Sequence, residues 1–308
     1  MDSPTLSSAA VKAAAATVGF DACGIAAATP LTEAEWGYAE WLHNGYHADM
    51  AYMEQHRDMR ANPALLLPGA QSVIVLLLGY KPSRRMEGTA RIAQYAYGED
   101  YHERIKRMLY QLIAAIRQQL PDFEAKPCVD TVPISDKQWA RRAGLGWIGR
   151  NTLLINPTLG SYCNIGELVT TFPTDHYDTP LESRCGNCQA CIDACPNHAL
   201  TQTAHTGIPL LDATRCASYH TVENRSPQLP PTVHLSGYAF GCDCCQIACP
   251  YNREAAVRYT LTDERKTQLE DLAQADSATF RRITKHTALN RIRHQQWLRN
   301  QSAANTRE

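Results

Sequence analysis

Apolar positions in the first half of the chain switch repeatedly between helical and strand spacing. Ser7 to Val18 is alanine-rich and helical in pattern and stops at Gly19, while Thr32 and Glu35 have the spacing of a capping box before a second helix. Gln71 to Tyr80 holds a continuous apolar, β-branched run, as in a strand covered on both faces. Tyr101 to Leu120 returns to helical spacing and ends at Pro121. Strand-like segments follow at Lys126–Thr131, Asn151–Asn156 and Asn164–Phe172, with a helix at Ser135–Ala143 between the first two. This alternation predicts a layered α/β (α+β) core over residues 1–179.

Near Pro180 the texture changes to loops rich in Cys, Pro and Asn, and a second domain is expected over 180–256. Residues 257–308 read as a short, polar helical region. Its stretch Arg281–Arg299 holds Arg281, Arg282, Lys285, Arg291, Arg293 and Arg299 without an acidic residue. A solvated helix face accounts for most such runs; phosphate contacts are the functional alternative.

With 44% hydrophobic and 20% charged residues, the chain of 308 has the composition of a folded protein. A formal charge of −1 gives no global field for polyanions, so a nucleic-acid surface would be a local patch. The longest apolar run, Val73 to Leu78, is far short of a bilayer span, and Asp2 and Lys12 break the pattern of an export signal. The expectation is a cytoplasmic monomer that does not engage a membrane. Disulfides are rare in that compartment, so twelve cysteines, most of them between Cys185 and Cys249, call for metal.

Their spacing is informative. Cys185-x2-Cys188-x2-Cys191-x3-Cys195-Pro196 is the bacterial ferredoxin run, in which three thiolates hold one cubane and the fourth reaches another. Cys242-x2-Cys245-x3-Cys249-Pro250 repeats it without the first cysteine, which Cys216 can replace. Two [4Fe–4S] clusters result: one on Cys185, Cys188, Cys191 and Cys249, the other on Cys195, Cys216, Cys242 and Cys245. Structural zinc uses C-x2-C pairs too, but not this near-duplicated run of three ending in Cys-Pro. Cys244 adjoins Cys245 and competes with it; Cys23, Cys128, Cys163 and Cys244 read as buried, apolar-behaving thiols. The Gly144-x-Gly146-x-x-Gly149 stretch imitates a dinucleotide fingerprint, but it follows a helix and precedes a strand, which excludes that role.

Val129-Asp130-Thr131-Val132-Pro133 and Ala143-Gly144-Leu145-Gly146-Trp147-Ile148-Gly149-Arg150-Asn151-Thr152 resemble the epoxyqueuosine reductase family. So do Leu65 to Ala70, Gly98-Glu99-Asp100-Tyr101-His102, Gly160-Ser161-Tyr162 and Gly241-Cys242-Asp243 with Cys245-Gln246. Arg291-Ile292 and Trp297 to Asn300 look like the start of that family's terminal helical region. The resemblance implies a cobalamin-binding reductase core with base-off cobalamin beside the two clusters, acting on the epoxide of epoxyqueuosine at the wobble position of tRNA. It also implies an external electron donor. It makes Asp130 the general acid, and enclosure beside a corrin ring is expected to keep that carboxyl protonated near neutrality. Without the resemblance, Asp130 reads as a cap for the helix near Ser135. The family's corrinoid contacts fall on Arg60, Asp130, Leu154, Asn156, Ser161, Ser218, Cys242 and Asp243. The basic residues Arg281, Arg282, Arg291, Arg293 and Arg299 become tRNA contacts. Asp136 stands where glutamate is commoner, and Ala93 where some relatives have cysteine.

Two other classes fit part of the pattern. A reductive dehalogenase would share the core, but Arg84-Arg85 and Arg141-Arg142 are internal rather than part of an export signal. A bare electron carrier would need the clusters alone, and a ferredoxin is about a quarter of this length.

Overall fold

The computed structural model describes residues 4–32, 36–88 and 90–305. Its centre is a four-stranded sheet in the order Ala22–Ala27, Ser72–Gly79, Cys163–Thr170, Ala125–Cys128, with every neighbouring pair antiparallel. The layered core is therefore of the α+β kind. The apolar run of Ser72–Gly79 is buried along its whole length because it is central and covered on both faces. Ile74, Leu76 and Leu78 face one core with Leu168; Val73, Val75 and Leu77 face the other with Val169.

Against the first face lie the helices Ser8–Val18 and Tyr101–Arg117, the latter through Ile105, Met108, Leu109, Leu112, Ile113 and Ile116. A Cβ on Gly166 would stand 2.4 Å from Ile105 Cγ2, so only glycine lets this helix lie so close to the sheet. Asp100 caps the helix by accepting from the His102 N–H at 2.9 Å. The second face is covered by helix Asp136–Arg142 through Trp139 and Ala140. Glu35 of the expected capping box lies outside the described residues; the helix observed beyond it is Tyr38–His43.

Beyond residue 180 regular structure is sparse. Helices Ala190–Asp193 and Cys244–Ala248 are one turn or little more, and the strands Leu200–Gln202 and Pro209–Leu211 form a small hairpin. Strand Tyr238–Phe240 pairs in parallel with Arg91–Ile92, tying this part back to the sheet half. Residues 257–305 form helices Asp263–Glu270, Ser277–Thr284 and His294–Asn305 with 3-10 turns between. They share one core with Ile92, Tyr97, Ala239 and Phe240, so Leu272, Phe280, Leu289 and Trp297 pack against residues from all three expected regions. Asn300, 0% exposed, donates to Thr221 O and Ala239 O, both at 2.8 Å. None of the described helices is long and apolar enough to cross a membrane.

Candidate active site

Asp130 follows the strand Ala125–Cys128 and turns away from it with φ of +45°, a left-handed conformation that costs a non-glycine residue strain. It does not cap the following helix: Ser135 occupies the cap position, and the Asp130 carboxyl turns to the start of helix Tyr101–Arg117. Tyr101 Oη donates to Asp130 Oδ2 at 2.9 Å, and His102 Nε2 stands 2.8 Å from the same oxygen. His102 Nδ1 is 2.7 Å from Asp100 Oδ1, so one imidazole bridges two carboxyls.

The expectation of a protonated carboxyl rests on a corrin ring beside it; the protein's own groups favour the charged form. The Asp130 side chain is 57% exposed at the cleft wall. The partial desolvation it feels pushes the carboxyl upward, but hydrogen bonds from His102 and Tyr101, with the charges of His102 and Arg291, outweigh it and hold the group below its usual range. Burial likewise disfavours charge on His102, and the two aspartates overcome it, raising the imidazole. The aspartate thus favours its charged form and the imidazole its protonated form, the two within one hydrogen bond of each other. Sequence reading missed His102 because its partner lies 28 residues further along the chain.

Asp130 stands where two cavities meet. A cleft of about 910 Å³ is lined by Tyr52, Arg60, Tyr95, Tyr101, His102, Lys106, Asp130, Glu223 and Arg291. A smaller cavity of about 400 Å³ extends from Tyr95, Tyr101, Asp130 and Asp136 to Cys195, Cys216, Cys242, Cys244 and Cys245 and is called the inner cavity below. A third, of about 230 Å³, is bounded by Cys185, Cys188, Cys191 and Cys249 with Tyr251 and Arg184. The two quartets expected from spacing thus gather at two separate cavities. Among the described residues no three His, Cys, Asp or Glu side chains close on a point where a single ion would sit. Cys244 shares the inner cavity with Cys245, and a hydrogen bond from Cys242 lowers its thiol to about 7, unlike the buried, apolar-behaving thiol expected. Cys23 and Cys163 do behave in that way, both pushed up to about 12 by burial, and Cys128 is raised too.

Of the expected corrinoid contacts, Leu154, Ser161, Ser218, Cys242 and Asp243 line the inner cavity, and Arg60 the outer cleft. Asp243 is buried, takes the Gln94 N–H at 2.8 Å, and is raised to about 6 by burial. Asn156 is committed elsewhere. Its Oδ1 accepts from Thr158 N and Leu159 N and its Nδ2 donates to Leu145 O at 2.7 Å, closing its own turn. Asn151 Nδ2, in contrast, is buried without a partner at the wall of the inner cavity.

The basic C-terminal residues divide. Arg281, Arg282 and Arg293 are exposed. Arg291 forms a two-pronged pair with Glu223 at 3.1 and 2.8 Å on the rim of the outer cleft. Arg299 is partly buried and donates to the carbonyls of His220, Asn224 and Ser226, which makes it a tie within the fold rather than a free cation.

Two family models match the chain: "Epoxyqueuosine reductase QueG, DUF1730" over residues 60–131 and "4Fe-4S double cluster binding domain" over residues 184–252. The chain is 38% identical to an epoxyqueuosine reductase of Leadbetterella byssophila, covering 92% of this chain and 93% of that protein. The structure of epoxyqueuosine reductase from Streptococcus thermophilus superposes with a TM-score of 0.83 at 26% identity, over 96% of this chain and 79% of the other. A crystal structure of epoxyqueuosine reductase with an epoxyqueuosine-modified tRNA-Tyr stem loop is similar at 28% identity and a TM-score of 0.78, over 96% of this chain and 79% of that one.

Proposed function

Because the chain belongs to the epoxyqueuosine reductase family, we propose that its outer cleft receives the modified base and that Asp130, charged from His102, delivers a proton to the opening epoxide. The enzyme is an oxidoreductase that reduces epoxyqueuosine to queuosine, and its cysteine-rich region binds two [4Fe–4S] clusters. Cys185, Cys188, Cys191 and Cys249 hold one and Cys195, Cys216, Cys242 and Cys245 the other, a reading supported by two cavities each lined by one quartet. Buried thiols are poor acids, and binding to iron is what would draw their protons off.

The observation that carries the reading is the position of Asp130, at the junction of a cleft open enough for a nucleoside and a channel leading to cysteines. Opening an epoxide leaves negative charge on oxygen, and an acid within hydrogen-bond reach lowers that barrier. Tyr101 and His102 aim the carboxyl, and Arg60 and Lys106 are the cleft's cations open to phosphates, in a lining that also holds Asp100, Glu103 and the Glu223 paired with Arg291. The substrate is the tRNA-borne nucleoside, with Arg281, Arg282 and Arg293 as further phosphate contacts.

At about 400 Å³ the inner cavity is too small to hold a corrinoid alone, so base-off cobalamin is assigned to it together with the adjoining part of the outer cleft of about 910 Å³. The unpartnered Asn151 amide, Ser161, Ser218 and Asp243 match a cofactor rimmed with amides, and Leu154 and Tyr80 offer apolar contact. Bound there, cobalamin supplies a strongly reducing cobalt centre. Arg60 lines the outer cleft, and Asn156 serves only the wall behind. Anaerobic protein incubated with cobalamin, a strong chemical reductant and epoxyqueuosine tRNA should yield queuosine on nucleoside analysis. No conversion by protein carrying both clusters would overturn the proposal.

A further inference from the structure

Two carboxyl groups near Asp130 have no role in the reading above. Glu167 lies in the strand Cys163–Thr170, flanked by Val75 and Cys128 on the neighbouring strands, and is 0% exposed. Strand alternation puts it on the same face as Val169, toward helix Asp136–Arg142. Neither Oε1 nor Oε2 has a hydrogen-bond partner, and Oδ1 of Asp136 is equally orphaned. Asp136 starts that helix and lines both cavities at which Asp130 stands. The cation within reach does not resolve this, since Lys137 Nζ donates to Thr152 O at 2.8 Å. On the sheet side the titratable neighbour is the Cys128 thiol, kept neutral by burial; on the loop side it is Asp130, a further negative charge.

Glu167 is sealed off from water and Asp136 is half-buried at the cavity wall with its Oδ1 covered. Two carboxylates in contact there cannot both stay ionised, and neither offers a donor to the other. A proton between them gives each a partner. We propose that Asp136 and Glu167 share a proton and form the reserve that refills Asp130, Asp136 facing the cavity and Glu167 acting behind it as a positioning residue. This rests on Asp130 as the proton donor and supplies what that reading lacks. Reducing an epoxide to an alkene breaks both C–O bonds, forms the C=C bond and releases the oxygen as water. It takes two electrons, here from the reduced clusters, and two protons. The Asp130–His102 pair accounts for one, and the shared proton for the second. Burial, with the neighbouring charge, accordingly pushes Asp136 up to about 7 and Glu167 well above its ordinary value.

The test has two arms. Infrared spectra of substrate-free protein in H2O and D2O at pH 7 should show a protonated-carboxyl stretch that is lost or shifted in Glu167→Gln and in Asp136→Asn. Single-turnover rates with epoxyqueuosine tRNA should hold up on the alkaline side in the wild type. In Glu167→Gln only Asp136 remains to carry the proton, so the rate should fall by about tenfold per pH unit once that group ionises. Asp136→Asn should be slow at every pH, by about 10- to 100-fold, with iron content unchanged. A purely structural pair predicts a lower melting temperature and an unmoved pH profile. Absence of the infrared band, a Glu167→Gln profile parallel to wild type, or an undiminished rate in Asp136→Asn would overturn the proposal. The infrared arm needs no substrate, so it stands or falls separately from the role of Asp130.

Discussion

In the sheet half, Asp130, Glu167 and His102 are placed by strand register and close packing, with the Tyr101–Arg117 helix lying against Gly166. The cysteines from Cys185 to Cys249 sit on bends and one-turn helices. The apolar packing nearest to them amounts to small groups such as Ala217, Val233, Leu235 and Ala304, or Trp147, Ile155 and Cys249. One half is stable through its core and can bury awkward polar groups. The other lacks a core of its own and relies on metal and on what is packed around it.

The largest expected effect tests that reliance. Cys216→Ala should lower iron from about eight to about four atoms per chain and abolish turnover. Hydrogen exchange should then rise across residues 183–245 while the sheet strands stay protected. Uniform loss of protection would erase the distinction between the halves. Iron loss in Cys244→Ala with full loading in Cys245→Ala would move the ligand by one position.

Next in size is the chemistry of the sheet half. Asp130→Asn should retain both clusters and tRNA affinity while single-turnover rates fall by about 10²- to 10⁴-fold. Near-normal rates would remove Asp130 from the reaction and leave the cleft without its acid.

Asn300→Ala tests the outer support of the cysteine half. It would strand two buried carbonyls, Thr221 O and Ala239 O, and should cost about 1–3 kcal/mol. Chemical denaturation followed at a cluster absorption band should register the loss before sheet circular dichroism does; simultaneous loss would make the two halves one cooperative unit.

A smaller effect is expected from Arg282→Glu combined with Arg293→Glu. The slope of log affinity for tRNA against log salt should shrink by about one unit for each phosphate contact removed. An unchanged slope would return this surface to solvent. The smallest effect concerns pH. Asp130 is held low and His102 high, so their pairing adds stability only where the aspartate is ionised and the imidazole protonated. That contribution fades as pH falls through the depressed aspartate value and as it rises through the raised histidine value. The stability gap between wild type and His102→Gln should therefore peak at about pH 4–6.5 and narrow on both sides.

Cysteine spacing was legible because cluster ligation is local in sequence and admits few patterns. The central strand was legible because covering both faces leaves a solid apolar run at Val73–Leu78. Asp130 was singled out through its motif, but what bears on its charge was not. That depends on His102 and Arg291, which reach it through tertiary packing. Glu167 carried a faint signal, a lone acid inside the apolar segment Ile165–Val169, while its partner Asp136 is set by the non-sequential sheet order. Arg299 and Asn156 show another limit: a side chain occupied with nearby carbonyls or amides reads in sequence like one free to bind.

The bond pair from Asn300 to Thr221 and Ala239 also bears on timing. During synthesis the sheet strands are all available once residue 170 has emerged, and the cysteines follow within some eighty residues. The wall that braces them includes Trp297 and Asn300, which emerge about fifty residues after Cys249. Iron delivered to a nascent chain would meet thiols not yet braced and open to exchange, so loading is expected to follow the emergence of Asn300. Ribosome-bound chains stalled past Cys249 but short of Asn300 should accordingly hold iron more weakly than released protein.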